Sequence, residues 1–250
     1  STTLNNISQI YQAQGDYTTA LTYLTDSLTI CQEIGDKAGE GTALNNISSI
    51  CQAQGDYTIA LTHLTDSLTI CQEIGDKVGE GAVLNNISQI YQAQGDYTTA
   101  LTYLTDSLAI FQEIGGKAGE GATLNNISQI YQAQGDYTTT LTYLTDSLTI
   151  CQEIGDKAGE GTILNNMSSI YQAQGDYATA LTYLTDSLAI RQEIGDKAGE
   201  GNALFNIGLT YYETGKKQQG LAYLQSAKKI AQEIGNFELN QALNGLPFNI

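Results

Sequence analysis

LNNISQIYQAQGDY, residues 4–17, is restated almost letter for letter every forty residues. It returns as LNNISSICQAQGDY from Leu44, as LNNISQIYQAQGDY from Leu84 and Leu124, as LNNMSSIYQAQGDY from Leu164, and loosely as LFNIGLTYYETGKK from Leu204. A strict period of this size is the signature of a solenoid, in which no unit buries its own apolar face and neighbours must stack to form a core. The expected domain is therefore one elongated array over 1–250. Its repeats start near 1, 41, 81, 121, 161 and 201, and a C-terminal cap occupies 236–250. A surface, not a pocket, is the expected seat of function.

The unit from Gly35 to Ile74 shows how the letters dictate the fold. Gly35 suits the left-handed position that ends a helix, and Asp36 can accept hydrogen bonds from the free amides at the start of the next. A first helix is predicted over 37–53, with Leu44, Ile47 and Cys51 at i, i+3 and i+7 on one buried stripe. Gly39 and Gly41 in its first turns predict either fraying or close packing. Gly55 and Asp56 repeat the stop and cap. A second helix is predicted over 57–74, with Ala60, Leu61, Leu64, Ser67 and Leu68 inward and Thr58, Thr62, Thr65, Asp66 and Thr69 outward. The period is near 3.6 and not 2, so strands are excluded, and the single proline, Pro247, lies beyond the helices.

The formal charge of −17 is spread along the chain, at positions such as Asp16, Asp26, Glu33, Asp36 and Glu40, and only the last unit gathers lysines, at Lys216, Lys217, Lys228 and Lys229. Such a field disfavours nucleic acid and anionic membrane surfaces as partners and favours neutral or basic ones. No apolar run reads as a membrane span or signal peptide. Cys31, Cys71 and Cys151 share one repeat position, and Cys51 stands where other units have tyrosine. Equivalent helices lie about 10 Å apart, beyond the roughly 7 Å between Cα atoms that a disulfide spans. Free thiols and a reducing, cytoplasmic compartment are expected. The chain begins at Ser1, just inside the first predicted helix, so an upstream segment is expected. The last unit reads as a cap, with Gly220 in place of Ala20 and a short solvating helix at 237–246 followed by a loose end.

These residues resemble the tetratricopeptide repeat family over 1–234. In the first unit Leu4, Ile7, Ser8, Tyr11, Ala20, Leu24, Ser27 and Gln32 fall at the pattern positions. Leu4, Ile7, Tyr11, Ala20 and Leu24 agree in size and character, and Ser8 and Ser27 exchange one small residue for another. Gln32 replaces the usual proline, and Gly35 takes over termination. The forty-residue spacing, the GDKAGEG linker and the LNN opening resemble the long-helix branch found in kinesin light chains, spindle-orientation G-protein modulators and bacterial arrays. The resemblance implies an all-α, right-handed alpha-alpha superhelix (TPR solenoid) of six helix-turn-helix repeats plus a C-terminal capping helix.

It also implies a concave surface lined by the first helix of each unit. On that helix, the face opposite Leu4, Ile7 and Tyr11 carries Thr2, Asn5, Asn6, Gln9, Gln12 and Ala13. Stacking would align its copies into ladders. The expected peptide-binding residues are Asn5, Asn6, Gln9, Asn45, Asn46, Asn85, Asn86, Gln89, Asn125, Asn126, Gln129, Asn165 and Asn166. A side-chain amide offers two donors and two acceptor lone pairs, so such a ladder could hold both the N–H and C=O groups of an extended peptide. The competing reading is that these asparagines solvate the inner face or hydrogen-bond between units. The lysines and arginines of a carboxylate clamp are missing: the matching positions hold Asn5, Gln9, Asn46, Ala82 and Asn86.

No constellation suggests catalysis, a metal or a cofactor. Asp16, Asp36, Asp56 and Asp76 read as helix caps, His63 as a packing residue in place of tyrosine, and Tyr17, Tyr57, Tyr97, Tyr137 and Tyr177 as packing at the start of the second helix. The expected function is a non-enzymatic scaffold for an extended, neutral or basic peptide. The alternative is a spacer or self-association module of a larger signalling protein, stacking weakly through its uncapped N-terminal end.

Overall fold

The computed structural model describes residues 2–247. Among these, every regular element is an α-helix. The order is α1 (Thr2–Ala13), α2 (Tyr17–Ile34), α3 (Lys37–Ala53), α4 (Tyr57–Ile74), α5 (Lys77–Ala93), α6 (Tyr97–Ile114), α7 (Lys117–Ala133), α8 (Tyr137–Ile154), α9 (Lys157–Ala173), α10 (Tyr177–Glu193), α11 (Lys197–Glu213), α12 (Lys217–Glu233) and α13 (Phe237–Asn244). The helix bounds predicted for the unit from Gly35 to Ile74 are those observed. The reason is local: the first glycine of each inter-helix turn adopts positive φ, from 67° to 83°, which ends one helix without a Cβ penalty. In most turns an aspartate follows it and caps the next helix. Asp36 and Asp76 accept from the backbone N–H of Gly39 and Gly79, both at 2.9 Å. Asp56 is an exception and makes no side-chain cap hydrogen bond.

The chain divides into two compact units, residues 1–130 and 131–250. In the first, Ala20, Leu24, Ile47, Ile50, Cys51, Ala60, Leu64, Val83, Ile87 and Ile90 form a buried core flanked by Tyr11, Tyr17, Leu21, Leu28, Tyr57 and Tyr91. Small residues let helices approach closely. Gly41 and Gly81 are buried, and their carbonyls accept from Ser67 and Ser107, each at 2.8 Å. Of the two alternatives for the early glycines, close packing holds. The outward threonines, Thr58, Thr62, Thr65 and Thr69, are exposed, with three returning their hydroxyl to the carbonyl four residues earlier.

In the second unit, Leu144, Cys151, Ile163, Met167 and Ile170 form one buried cluster and Leu204, Leu224, Ala227, Ile230, Ala231, Leu239 and Leu243 another. Leu239 and Leu243 belong to α13. The terminal helix is thus amphipathic, burying two leucines while Phe237 and Glu238 stay exposed. It covers the last apolar face more fully than a merely solvating segment would. The end of the expected loose tail, 248–250, lies outside the described residues. All four cysteines are free and buried.

A repeated polar clip joins neighbouring helices. Gln72 and Lys77 both donate to Glu80, at 3.0 and 2.7 Å, and the same trio recurs around Glu40, Glu120, Glu160 and Glu200. The lysine ammonium hydrogen-bonded to Glu40, Glu80 and Glu200 holds each carboxyl below its ordinary value of 4.5, against the opposing effect of burial. A depressed folded-state pKa contributes stability that is complete above about 4.5 and is lost as pH falls through the lower folded value. Glu40→Gln/Glu80→Gln/Glu200→Gln is therefore expected to lower the melting temperature at pH 7 and to flatten its decline below pH ~4.5. Melting curves recorded across that range check this.

One repeat position varies in a way the packing explains. Cys31, Cys71, Phe111, Cys151 and Arg191 are equivalent, and the residues five positions on are Asp36, Asp76, Gly116, Asp156 and Asp196. Only phenylalanine is accompanied by glycine. A Cβ on Gly116 would lie 2.9 Å from the Phe111 ring, so ring and aspartate exclude each other. Where cysteine stands at position 71, a cavity of 110 Å³ remains, lined by Gly41, Ser67, Ile70, Cys71, Asp76 and Val83 among others. Filling this half-open space with a ring, as Phe111 fills its equivalent, should offset the roughly 1 kcal/mol of the lost cap. Cys71→Phe/Asp76→Gly is expected to be at least as stable as the parent in urea unfolding, and Cys71→Phe alone less stable than the pair.

Candidate functional site

The two asparagines of each LNN motif, expected to share one face, part company in the structure. The first turns into the seam between consecutive repeats: Asn5 and Asn85 are buried, and Asn45 and Asn165 are half-buried. The second reaches back across that seam. Asn86 Nδ2 donates to Asn45 Oδ1 at 2.7 Å and Asn126 Nδ2 to Asn85 Oδ1 at 3.2 Å. In the second unit Asn206 Nδ2 donates to Asn165 Oδ1 at 2.8 Å. Hydrogen bonds between repeats thus run along part of the amide ladder. A 100° helical wheel placed both asparagines together because it knows nothing of how the next repeat leans on the first.

Asn85 is the most deeply committed. Its Nδ2 donates to Ser107 Oγ at 2.9 Å and Thr123 Oγ1 at 2.8 Å, so both amide hydrogens are used inside the protein. Thr123 stands where Ala43, Val83, Ile163 and Ala203 stand in other units, the first unit having Thr3, and its hydroxyl completes the buried polar cluster. Asn125 and Asn166 are half-buried and make interactions of their own.

Beside the ladder, Asn6, Gln9 and Gln89 are exposed, while Asn46, Asn86, Asn126 and Gln129 are half-exposed. A pinned Nδ2 keeps one N–H and the Oδ1 lone pairs of Asn86 and Asn126 for other use. Asn5, Asn6 and Gln9 of α1 and Asn46 of α3 come together around a depression of 440 Å³, which also takes in Asp36 and Thr42. This is the clearest convergence of sequence-predicted site residues. In the second unit a further amide row forms, with Gln132 donating to Ser169 at 3.2 Å and Gln172 to Thr210 at 2.6 Å.

The helix-facing aromatics form a separate stripe. Tyr11 stacks on Tyr23 and Tyr91 on Tyr103, in each case with ring centroids 5.6 Å apart, and the second unit repeats the arrangement with Tyr131 and Tyr143, Tyr171 and Tyr183, and Tyr211 and Tyr223. Cys51 and His63 occupy the two positions of the stack that is missing from this series. Read separately, they were an odd cysteine and an odd histidine; in register they are one paired replacement. Burial pushes the Cys51 thiol pKa up, which disfavours a reactive thiolate, and His63 is half-buried as a packing residue should be. Among the described residues no three His, Cys, Asp or Glu side chains converge on a metal position, and no helix is long and apolar enough to cross a membrane.

Comparison with known proteins matches this arrangement to one family. The tetratricopeptide repeat model matches in five overlapping windows, residues 1–73, 39–113, 79–153, 119–193 and 159–233. No curated protein matches the chain. Among solved structures, BtubC (BKLC) from P. vanneervenii is similar at a TM-score of 0.73 and 20% identity, over 92% of this chain and 93% of that one. NprR in complex with its cognate peptide NprX is similar at 0.65 and 16%, over 92% of this chain and 66% of that one. A putative kinesin light chain from Podosopora anserina with nearly identical TPR-like repeats is similar at 0.60 and 16%, over 78% and 95%. At these identities the likeness is one of fold.

Proposed function

The chain belongs to the tetratricopeptide repeat family, and from that premise we propose that it is a non-enzymatic scaffold that holds an extended peptide against the amide-bearing face of its odd-numbered helices. The observation that carries this reading is the seam-pinned asparagine. With one N–H of Asn86 and Asn126 fixed to the preceding repeat, the remaining N–H and carbonyl oxygen are held in one orientation. An amide oriented in advance loses less side-chain entropy on binding. Asn46, Gln89 and Gln129 stand beside this row, half-exposed or exposed. The NprR structure, in complex with its cognate peptide NprX, supports peptide binding on this architecture.

The ligand is neutral or basic, because a chain of net charge −17 repels acidic segments. A continuous array over 1–250 in a cytoplasmic setting remains the arrangement in which this function operates. The test uses a peptide selected from a random 16-residue library on the full chain. Asn86→Ala/Asn126→Ala should weaken it about tenfold or more, at ~1 kcal/mol per lost contact. Gln89→Ala/Gln129→Ala, which leaves the seam bonds alone, should weaken it in the same direction. Unchanged affinity in both variants would sink the proposal.

A second reading, self-association, draws on one observation. Ile10 is 57% exposed, whereas its equivalents Ile50, Ile90, Ile130 and Ile170 are fully buried. Sedimentation at rising concentration decides it: a concentration-independent monomer argues against stacking through this end.

A further inference from the structure

One seam of the second unit is filled by a guanidinium, and its residues show how such a group is held. Arg191 of α10 runs between Gly161 of α9 and Gly199 of α11, where an added Cβ would lie 2.8 Å from its Nε and 2.5 Å from its Cδ. The guanidinium donates to Asp196 Oδ2 at 2.7 Å and to Thr162 Oγ1, and the side chain is 13% exposed. Asp196 is able to take it because the cap uses only Oδ1, which accepts from the Gly199 N–H at 2.9 Å. Thr162 gives its hydrogen to the Ala158 carbonyl, which leaves its lone pairs for the guanidinium.

The half-open space of 110 Å³ between α3 and α5 is the same seam three repeats earlier, with Cys71 in place of Arg191. Every other lining residue except Ala82 and Val83 has the identical letter at its counterpart. Thr42 donates to the Ala38 carbonyl and Asp76 Oδ1 accepts from the Gly79 N–H, both at 2.9 Å. Thr42 Oγ1 and Asp76 Oδ2 are thus left in the roles that hold Arg191. Both residues are exposed, while Gly41, Ser67 and Cys71 are buried behind them, so the two acceptors stand at the mouth. Lys37 also lines the space, with its ammonium held by Glu40 at 2.9 Å. Its counterpart Lys157 is held by Glu160 at 2.8 Å in the very seam that contains Arg191, so a lysine so paired is compatible with a guanidinium beside it. The seam of Phe111 differs: Ala82 and Gly116 stand where Thr42 and Asp76 do, and neither acceptor is present.

We propose that the space between α3 and α5 is a specificity pocket for an arginine side chain of the bound peptide, its guanidinium donating to Thr42 Oγ1 and pairing with Asp76 Oδ2. A guanidinium suits it better than an ammonium, because its planar fork of donors meets acceptors on two helices at once. The inference rests on the peptide-scaffold reading and names a side chain that the scaffold selects.

The probe is N-acetyl-argininamide, titrated into ¹⁵N-labelled full chain while the backbone amide resonances of Thr42 and Gly79 are followed, with N-acetyl-citrullinamide as the neutral isostere. Argininamide should shift both resonances saturably, and citrullinamide should bind about tenfold more weakly, as for one charge-assisted contact. Cys71→Arg supplies the guanidinium from within and should abolish the response, with a melting temperature at or above that of the parent. Thr42→Val/Asp76→Asn keeps the helix cap, since asparagine caps as well as aspartate, and should reduce argininamide affinity to the citrullinamide level. Arg191→Cys empties the other seam and should add a second saturable response, at Thr162 and Gly199. Equal responses to the two compounds, no response at Thr42 and Gly79, or an undiminished response in Thr42→Val/Asp76→Asn would overturn the pocket. In those cases a selected peptide that still depends on Gln89 and Gln129 would show that the scaffold reading survives, whereas loss of that dependence would show that the scaffold reading itself had failed.

Discussion

Phe111→Ala is expected to lower the unfolding free energy by about 3–5 kcal/mol, the range for truncating a buried phenylalanine. The ring is 4% exposed and lies against three glycines: a Cβ added at Gly81, Gly116 or Gly119 would approach it to between 2.2 and 2.9 Å. Glycine at 116 gives up the aspartate cap that the equivalent linkers at Asp36, Asp76, Asp156 and Asp196 carry, so this repeat relies on the ring where others rely on the cap. Restoring the majority pattern with Phe111→Cys/Gly116→Asp should therefore recover part of the loss. Urea unfolding followed by circular dichroism measures both variants, with a broadened transition expected if the third repeat uncouples from its neighbours. Phe111→Ala within ~0.5 kcal/mol of the parent, the range for an ordinary surface change, would refute the assignment of the ring as a packing plug.

Gly220→Ala is expected to destabilise the second unit by about 1–3 kcal/mol, as overpacking does. A Cβ there would lie 2.6 Å from the Gly208 carbonyl oxygen and 2.8 Å from the Tyr212 backbone nitrogen. Both obstacles are main chain and cannot turn aside by changing rotamer. Gly208→Ala should cost less, because its nearest obstacle at 2.7 Å is the Leu224 side chain, which can move. The same pair is serine and alanine in other repeats, as at Ser88 and Ala100, where both are buried without conflict. Reversing the logic, Ala100→Gly should cost only the ~1 kcal/mol penalty of a helical glycine. Thermal unfolding of the three variants gives the order directly.

The fold was legible because each instruction is local and repeated. Gly35 and Asp36, or Gly55 and Asp56, stop one helix and start the next, and the Leu44, Ile47 and Cys51 stripe chooses the buried side. What the sequence did not disclose depends on contacts between units. The division of labour within LNN, with Asn85 enclosed and Asn86 reaching back to Asn45, follows from how one repeat leans on the next, which a single-helix wheel does not contain. The Phe111 and Gly116 pair and the Cys51 and His63 pair were visible as departures from the repeat. Only register showed that each pair shares one place in the packing. The cap helix was legible as a stop signal, but not that Leu239 and Leu243 would be drawn under the surface.

The candidate site was legible in composition and blurred in detail. Asparagine and glutamine stand out as the unusual letters of the odd-numbered helices, but the letters do not disclose that Asn45, Asn85, Asn86, Asn126 and Asn165 hydrogen-bond between repeats. The proposed role therefore narrows to Asn46, Gln89 and Gln129 and to the polar atoms that Asn86 and Asn126 do not use across the seam.

Where the peptide lies is the claim on which the functional account depends. A library-selected peptide carrying a photoreactive benzoylphenylalanine, cross-linked to the full chain and mapped by fragment sequencing, should label residues of α3, α5 and α7 around Gln89 and Gln129. Labelling concentrated instead on the outward threonines of α4 and α6, around Thr62, Thr65, Thr102 and Thr105, would contradict it.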